Sequence, residues 1–199
     1  AAAAYESGLD WYTHDCTGEV EVAGQTYRCA LGRAHGVVNL RGALEQSCNT
    51  YFIELGRLLG AQRIRKMAET LGFGTATQLA PGLQSASGTL PDAAALENPG
   101  ELATFSFGQG ALTVTPLQIT AMMNTIANGG VYRAPCLLDC ALDETSGEEL
   151  SAFARPQAER VLTEQTAAAL CTMLEQNNND QEQACDDHDD RKSDLCGSH

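Results

Sequence analysis

From Leu40 onward the apolar positions recur at helical spacing. Leu40, Ala43 and Leu44 fall at i, i+3 and i+4, and Phe52, Leu55, Leu58 and Leu59 repeat that spacing up to Gly60. The intervening Ser47-Cys48-Asn49 is therefore predicted at a bend between two helices. Ile64, Met67, Ala68 and Leu71 predict another helix over 61–71, stopped by Gly72-Phe73-Gly74. Thr115-Pro116 offers a cap and an N1 proline, and Leu117, Ala121, Met122, Thr125 and Ile126 share one face until Asn128-Gly129-Gly130 ends the pattern. Met122 and Met123 are expected in the core of that helix. Thr163-Glu164-Gln165-Thr166 resembles a capping box opening a last helix, with Ala167, Leu170, Cys171 and Leu174 inside. At the start, Ala1 to Glu6 reads as the last turns of a helix closed by Gly8.

Elsewhere the helical period is missing. Residues 9–36, with Gly18, Gly24, Gly32 and Gly36, predict a structured loop with Trp11 packed beneath it. Residues 75–110 predict irregular chain with a short helix around 92–97. Residues 131–142 and 149–161 flank the turn-rich 143–147 and predict a two-stranded antiparallel pair. The resulting class is α+β, dominated by helices.

Composition narrows the function classes. Hydrophobic residues at 43% with 19% charged exclude a disordered or coiled-coil chain, and no apolar run approaches the ~18 residues that span a bilayer. A net charge of −14 repels phosphate backbones and excludes nucleic acid as a partner. Residues 177–199 hold seven acids and two bases, so the chain reads as one domain over 1–176 and an acidic, disordered tail over 177–199. Within the tail, Cys185-x2-His188 and Cys196-x2-His199 offer a chelating pair, and a shifted reading frame is a further explanation of its composition. The chain begins at Ala1 without a basic segment followed by an apolar one, which reads as a cut end.

Two constellations carry candidate chemistry. Ser47 and Asn49 place a hydroxyl and a carboxamide two residues apart at the predicted bend, where they can pass protons or orient a bound amide; both are also ordinary capping residues. Cys16, Cys29, His35 and Cys48, spaced C-x12-C-x5-H-x12-C, are a Cys3His set suited to structural Zn²⁺, the cofactor expected here. A Cys16–Cys29 disulfide and unpaired buried thiols are the alternatives. Gly108-Gln109-Gly110 lacks the further Gly and Lys of a phosphate loop and reads as a tight turn against a cleft. Cys136 and Cys140 read as structural thiols.

The residues from Ala43 to Phe52, then Leu71-Gly72-Phe73-Gly74, Ser106-Phe107-Gly108-Gln109-Gly110, Val114-Thr115-Pro116-Leu117-Gln118 and Asn128-Gly129-Gly130 resemble, in order and spacing, the transpeptidase domain of class B penicillin-binding proteins. The resemblance covers about 1–176. It implies the penicillin-binding protein/β-lactamase-like fold and peptidoglycan D,D-transpeptidation through an acyl-enzyme, with stem peptides and β-lactams as ligands. By position, Ser47 and Asn49 would form the second motif, the hydroxyl relaying a proton and the carboxamide binding substrate amide, and Gly108, Gln109 and Gly110 would border the substrate. Some elongation-type members bind zinc near this bend, which adds to the zinc reading.

The chain also departs from the family pattern. Its two lysines, Lys66 and Lys192, follow Arg63 and Asp189 at three residues' distance, so no Ser-x-x-Lys occurs, and neither precedes Thr-Gly or Ser-Gly. The chain as it stands is expected to be inactive, a piece lying between the first and third motifs. The intact protein would sit on the outer face of the cytoplasmic membrane, anchored by a segment outside this chain, among other cell-wall synthesis proteins. The alternative is a non-catalytic, zinc-stapled module of the same fold that binds stem peptides or a wall-synthesis partner.

Overall fold

The computed structural model describes residues 1–153 and 155–175. The tail, with Cys185, His188, Cys196 and His199, lies outside them. Helix α1 (Ala2–Glu6) buries Ala3 and Ala4 and ends at Gly8, whose φ of +65° completes the expected glycine stop.

Residues 9–36, expected as a structured loop, form a ribbon of β-strands. Strand β1 (Thr13–Cys16) pairs antiparallel with β4 (Gly36–Asn39), and the hairpin of β2 (Glu19–Val22) and β3 (Gln25–Arg28) is nested between them. The β2–β3 turn is two residues, Ala23 and Gly24, both at positive φ, the geometry that matches strand twist. Alternation in Glu19-Val20-Glu21-Val22 is only four residues long, too short for its period to stand out, and the β1–β4 partners are remote in sequence. Trp11 is not covered by this ribbon: it is 71% exposed.

The helical lobe follows. α2 (Leu40–Glu45) is capped by Asn39, whose Oδ1 accepts from Gly42 N at 2.9 Å; α3 (Asn49–Leu59) and α4 (Ala61–Thr70) meet at Gly60. Within 75–110 the structure adds elements that the sequence pattern did not announce: β5 (Gln78–Ala80) with β6 (Leu83–Gln84), and α5 (Pro99–Ser106). The short helix expected at 92–97 is one 3₁₀ turn, Ala95–Glu97. Asn98-Pro99 is a cap and N1 proline, with Asn98 Oδ1 accepting from Gly100 N at 2.9 Å, but eight residues in a Gly- and Ala-rich stretch give no helical period.

Helix α5 lies against the middle of α3, where buried Gly56 faces Ser106. A Cβ on Gly56 would overlap Ser106 Oγ and Cβ. Gly56→Ala is expected to lower unfolding free energy by about 1–3 kcal/mol through overpacking, measured by chemical denaturation; an unchanged midpoint would mean that the two helices separate freely.

Helix α6 (Pro116–Ala127) opens with the full capping box of Thr115 and Gln118. The Gln118 carboxamide is buried and does more than cap: Nε2 donates to the carbonyls of Gly72 (3.0 Å), Thr75 (3.3 Å) and Ser87 (2.8 Å), tying two loops to one helix start. Met122 is partly buried as expected, whereas Met123 is 42% exposed. The expected single strand pair is two: β7 (Val131–Arg133) with β10 (Ala158–Arg160), and β8 (Cys140–Leu142) with β9 (Glu149–Ala152). Pro135 and Pro156 fall in the gap, where missing N–H groups interrupt a ladder. Cys136 is exposed, so it is not a core thiol.

A last helix, α7 (164–175), starts at Thr163, whose Oγ1 accepts from Thr166 N at 3.1 Å. The return half of the cap comes from afar. Glu6 Oε1 accepts from Thr163 N (2.9 Å) and Oγ1 (3.0 Å), locking α1 to α7. Burial pushes the Glu6 carboxyl up, but these bonds and one from Thr166 outweigh it and hold it below its ordinary value. The result is an α+β fold with five antiparallel two-stranded pairs among the described residues.

Candidate functional site

Helix α2 ends in a Schellman turn: Ser47 N donates to Leu44 O (3.2 Å) and Cys48 N to Ala43 O (2.9 Å). This places Ser47 in the left-handed C′ position, with φ of +50°. Glycine is the usual occupant, because a Cβ there costs roughly 1–2 kcal/mol. The same protein shows the ordinary solution at the end of α5, where Gly108 N donates to Phe105 O, Gln109 N to Thr104 O, and Gly108 has φ of +78°. Ser47 is exposed, and its hydroxyl has no protein partner among the described residues. Strain held at a polar residue with a free hydroxyl makes Ser47 a candidate functional residue.

Cys48 leaves α2 and caps α3, and Asn49 is the first residue of α3. Asn49 Nδ2 donates to Arg28 O at 2.9 Å, which pins the carboxamide to the end of β3. Thus the ribbon, remote in sequence, orients the bend.

The four predicted metal ligands converge under it. Their ligand atoms all lie within 4.8 Å of one another. Cys16 Sγ is 3.7 Å from Cys29 Sγ and 3.4 Å from His35 Nδ1, and Cys29 Sγ is 3.9 Å from Cys48 Sγ. Tetrahedral zinc with Zn–S of about 2.3 Å and Zn–N of about 2.0–2.1 Å requires edges of about 3.8 Å and 3.6 Å, so the donor set fits the ion. Cys16, Cys29 and Cys48 are free thiols, 3% exposed or less, and His35 is half-buried.

The ribbon explains the convergence. Cys16 pairs with Gly36 across β1–β4, His35 N donates to Cys16 O, and Cys29 N donates to Gly18 O. Gly18, at φ of +95°, has no room for a Cβ against Gly32 O. Burial pushes the Cys16 thiol up, but hydrogen bonds from Thr50, from the His35 and Gly18 N–H groups and from Cys48 overcome it and bring the thiol down. Cys48 is driven up, first by burial and also by Cys16 and Cys29 beside it. Packed thiolates without a cation repel one another, and a divalent ion removes that repulsion.

Gly108, Gln109 and Gly110 are exposed and form the expected tight turn. Phe107 before them packs edge-on to Tyr27 of β3, with centroids 6.5 Å apart. Gly108 and Leu44, three residues before Ser47, line one apolar groove of about 320 Å³; Ser47, Asn49, Gln109 and Gly110 are not among its lining residues. Two participants escaped the sequence reading: the Arg28 carbonyl, a main-chain group with no sequence signature, and Thr50, which reads as ordinary helix.

The penicillin binding protein transpeptidase domain model matches residues 1–190. Stage V sporulation protein D of Bacillus subtilis is 30% identical over 158 residues, which cover 79% of this chain and 24% of that protein. Peptidoglycan D,D-transpeptidase PbpA of Mycobacterium tuberculosis is 34% identical over 139 residues, covering 69% of this chain and 27% of that one. The structure of penicillin-binding protein A from M. tuberculosis as a ceftriaxone acyl-enzyme complex superposes with a TM-score of 0.76 at 29% identity, over 89% of this chain and 40% of that one. The chain spans about a quarter of the length of these curated relatives. Since that family model matches residues 1–190, the chain belongs to the penicillin-binding protein transpeptidase domain family.

Proposed function

We propose that this chain contributes the second-motif side of a peptidoglycan D,D-transpeptidase site. The observation that carries the proposal is Ser47, held left-handed where glycine is preferred, with a free hydroxyl beside a fixed carboxamide. In this reading the stem peptide or a β-lactam acylates a serine outside the chain. Ser47 Oγ relays the proton to the leaving group, and Asn49 holds the amide of the bound ligand. Gly108, Gln109 and Gly110 border the cleft. The relative's ceftriaxone acyl-enzyme complex supports β-lactams as ligands.

Cys16, Cys29, His35 and Cys48 would hold a structural zinc ion, which supplies positive charge and cross-links the ribbon to α3. Its service to the reaction is geometric: Cys48 lies between the two motif residues, and Cys29 adjoins the carbonyl that holds Asn49. Residues 1–176 act as the transpeptidase unit, with 177–199 a separate acidic tail. No helix of the described residues is long and apolar enough to cross a membrane. The outer face of the cytoplasmic membrane, with an anchor elsewhere, is the location proposed for the whole protein, in wall synthesis that sets cell shape.

Fluorescent penicillin tests the reading. The gene is expressed with its flanking coding sequence, alongside the 199-residue chain. The longer product is expected to label covalently, with the chain alone unlabelled. A longer product that carries the chain and resists labelling would overturn catalysis and leave the zinc-stapled binding module.

A further inference from the structure

Thr50 stands out among the threonines. It is fully buried, 0% exposed, yet its hydroxyl has no oxygen or nitrogen partner among the described residues. Buried threonine in a helix ordinarily bonds the carbonyl four residues earlier, as Thr125 does to Ala121 O at 2.8 Å. Thr50 is denied that option, because it is the second residue of α3 and the residue four before it, Gln46, belongs to the turn that ends α2. Its Oγ1 lies instead 3.5 Å from Cys48 Sγ and 3.9 Å from Cys29 Sγ, and it is the hydroxyl that helps hold the Cys16 thiol down. Leaving a buried hydroxyl without an acceptor is unfavourable, so its environment has to supply one.

We infer that Thr50 is a positioning residue for the metal centre, its hydroxyl donating to the metal-bound thiolate of Cys48, with Cys29 as the more distant acceptor. This rests on the metal reading above. A thiolate only accepts, which fixes the direction of the bond: the hydroxyl proton points to sulfur. That bond orients the Cys48 sulfur toward the ion. It also anchors the first turn of α3, where Asn49 begins the helix. Partners of this kind outside the ligand set commonly change metal affinity by about 10–100-fold.

The test uses the 199-residue chain and two probes, zinc by competition with a chromophoric chelator and cobalt(II) by absorption. Thr50→Val keeps the shape and removes the donor. It is expected to weaken zinc binding about 10–100-fold and to move the thiolate-to-cobalt charge-transfer band to lower energy, because an unbonded thiolate gives up its electrons more readily. Thr50→Ser is expected to restore both. A merely structural role would not move the band. Should valine prevent folding, Thr50→Ala against Thr50→Ser isolates the hydroxyl, the one group in which they differ. Variants lacking the hydroxyl that keep wild-type affinity and band position would overturn the Thr50 assignment and leave the metal centre standing. A wild-type chain that binds neither ion would overturn the metal centre itself, and Thr50's part with it.

Discussion

Replacing Ser47 by alanine in the complete protein will slow acylation by a fluorescent penicillin about 10²–10⁴-fold, the usual loss when a proton-transferring group is deleted. That corresponds to about 3–5 kcal/mol of barrier. Ser47→Gly will show a comparable loss of rate together with a gain in stability that alanine lacks. Glycine adopts φ near +50° without a Cβ penalty, so it should stabilise the Schellman turn at the end of α2 by about 1 kcal/mol, whereas alanine keeps the strain. Rate by stopped-flow labelling and stability by urea unfolding separate the two effects. A glycine variant that labels at the wild-type rate would remove Ser47 from the proton relay. One that is less stable than wild type would show that the hydroxyl has a structural partner in the folded protein.

The second large effect concerns the metal centre. Cys29→Ser, or a strong chelator on the unaltered chain, should lower the thermal midpoint by about 10 °C. The size follows from linkage: free zinc at a thousand times its Kd stabilises the folded state by about 4 kcal/mol. A chain of this length moves about 2–4 °C per kcal/mol. The ribbon of β1 to β4 should loosen first, since Cys16, Cys29 and His35 are its three ties to α3 through Cys48. Cys136→Ser serves as the control, because that thiol is exposed and outside the cluster. Equal midpoints with and without chelator, in a protein shown by mass spectrometry to start with bound zinc, would show that the ion does not hold the ribbon.

These effects are coupled through a few atoms. Without an ion at the proposed site Cys29 would be freed, and with it the neighbouring Arg28 carbonyl, which holds Asn49. Ser47 sits on the other side of Cys48 and would lose the same support. An acylation defect in Cys29→Ser, with the motif residues intact, is the expected consequence of this geometry.

Much of this was legible in the order of residues. The helices of the lobe follow from apolar spacing and from caps such as Thr115-Pro116, which act locally within a turn or two. The bend at Ser47-Cys48-Asn49, the glycine stops and the Cys3His spacing are likewise local or countable. Helix α5 and the β2–β3 hairpin are too short for their period to rise above composition. The β1–β4 pairing is long-range, joining Cys16 to Gly36 across the nested hairpin. Tertiary structure alone decided that Ser47 is left-handed, that Arg28 holds Asn49, that Glu6 completes the cap of α7, and that Thr50 turns to sulfur. Each of these depends on which groups remain unpaired once remote segments have packed. Spacing along the chain specifies candidate ligands and caps; burial and hydrogen-bond satisfaction in three dimensions select among them.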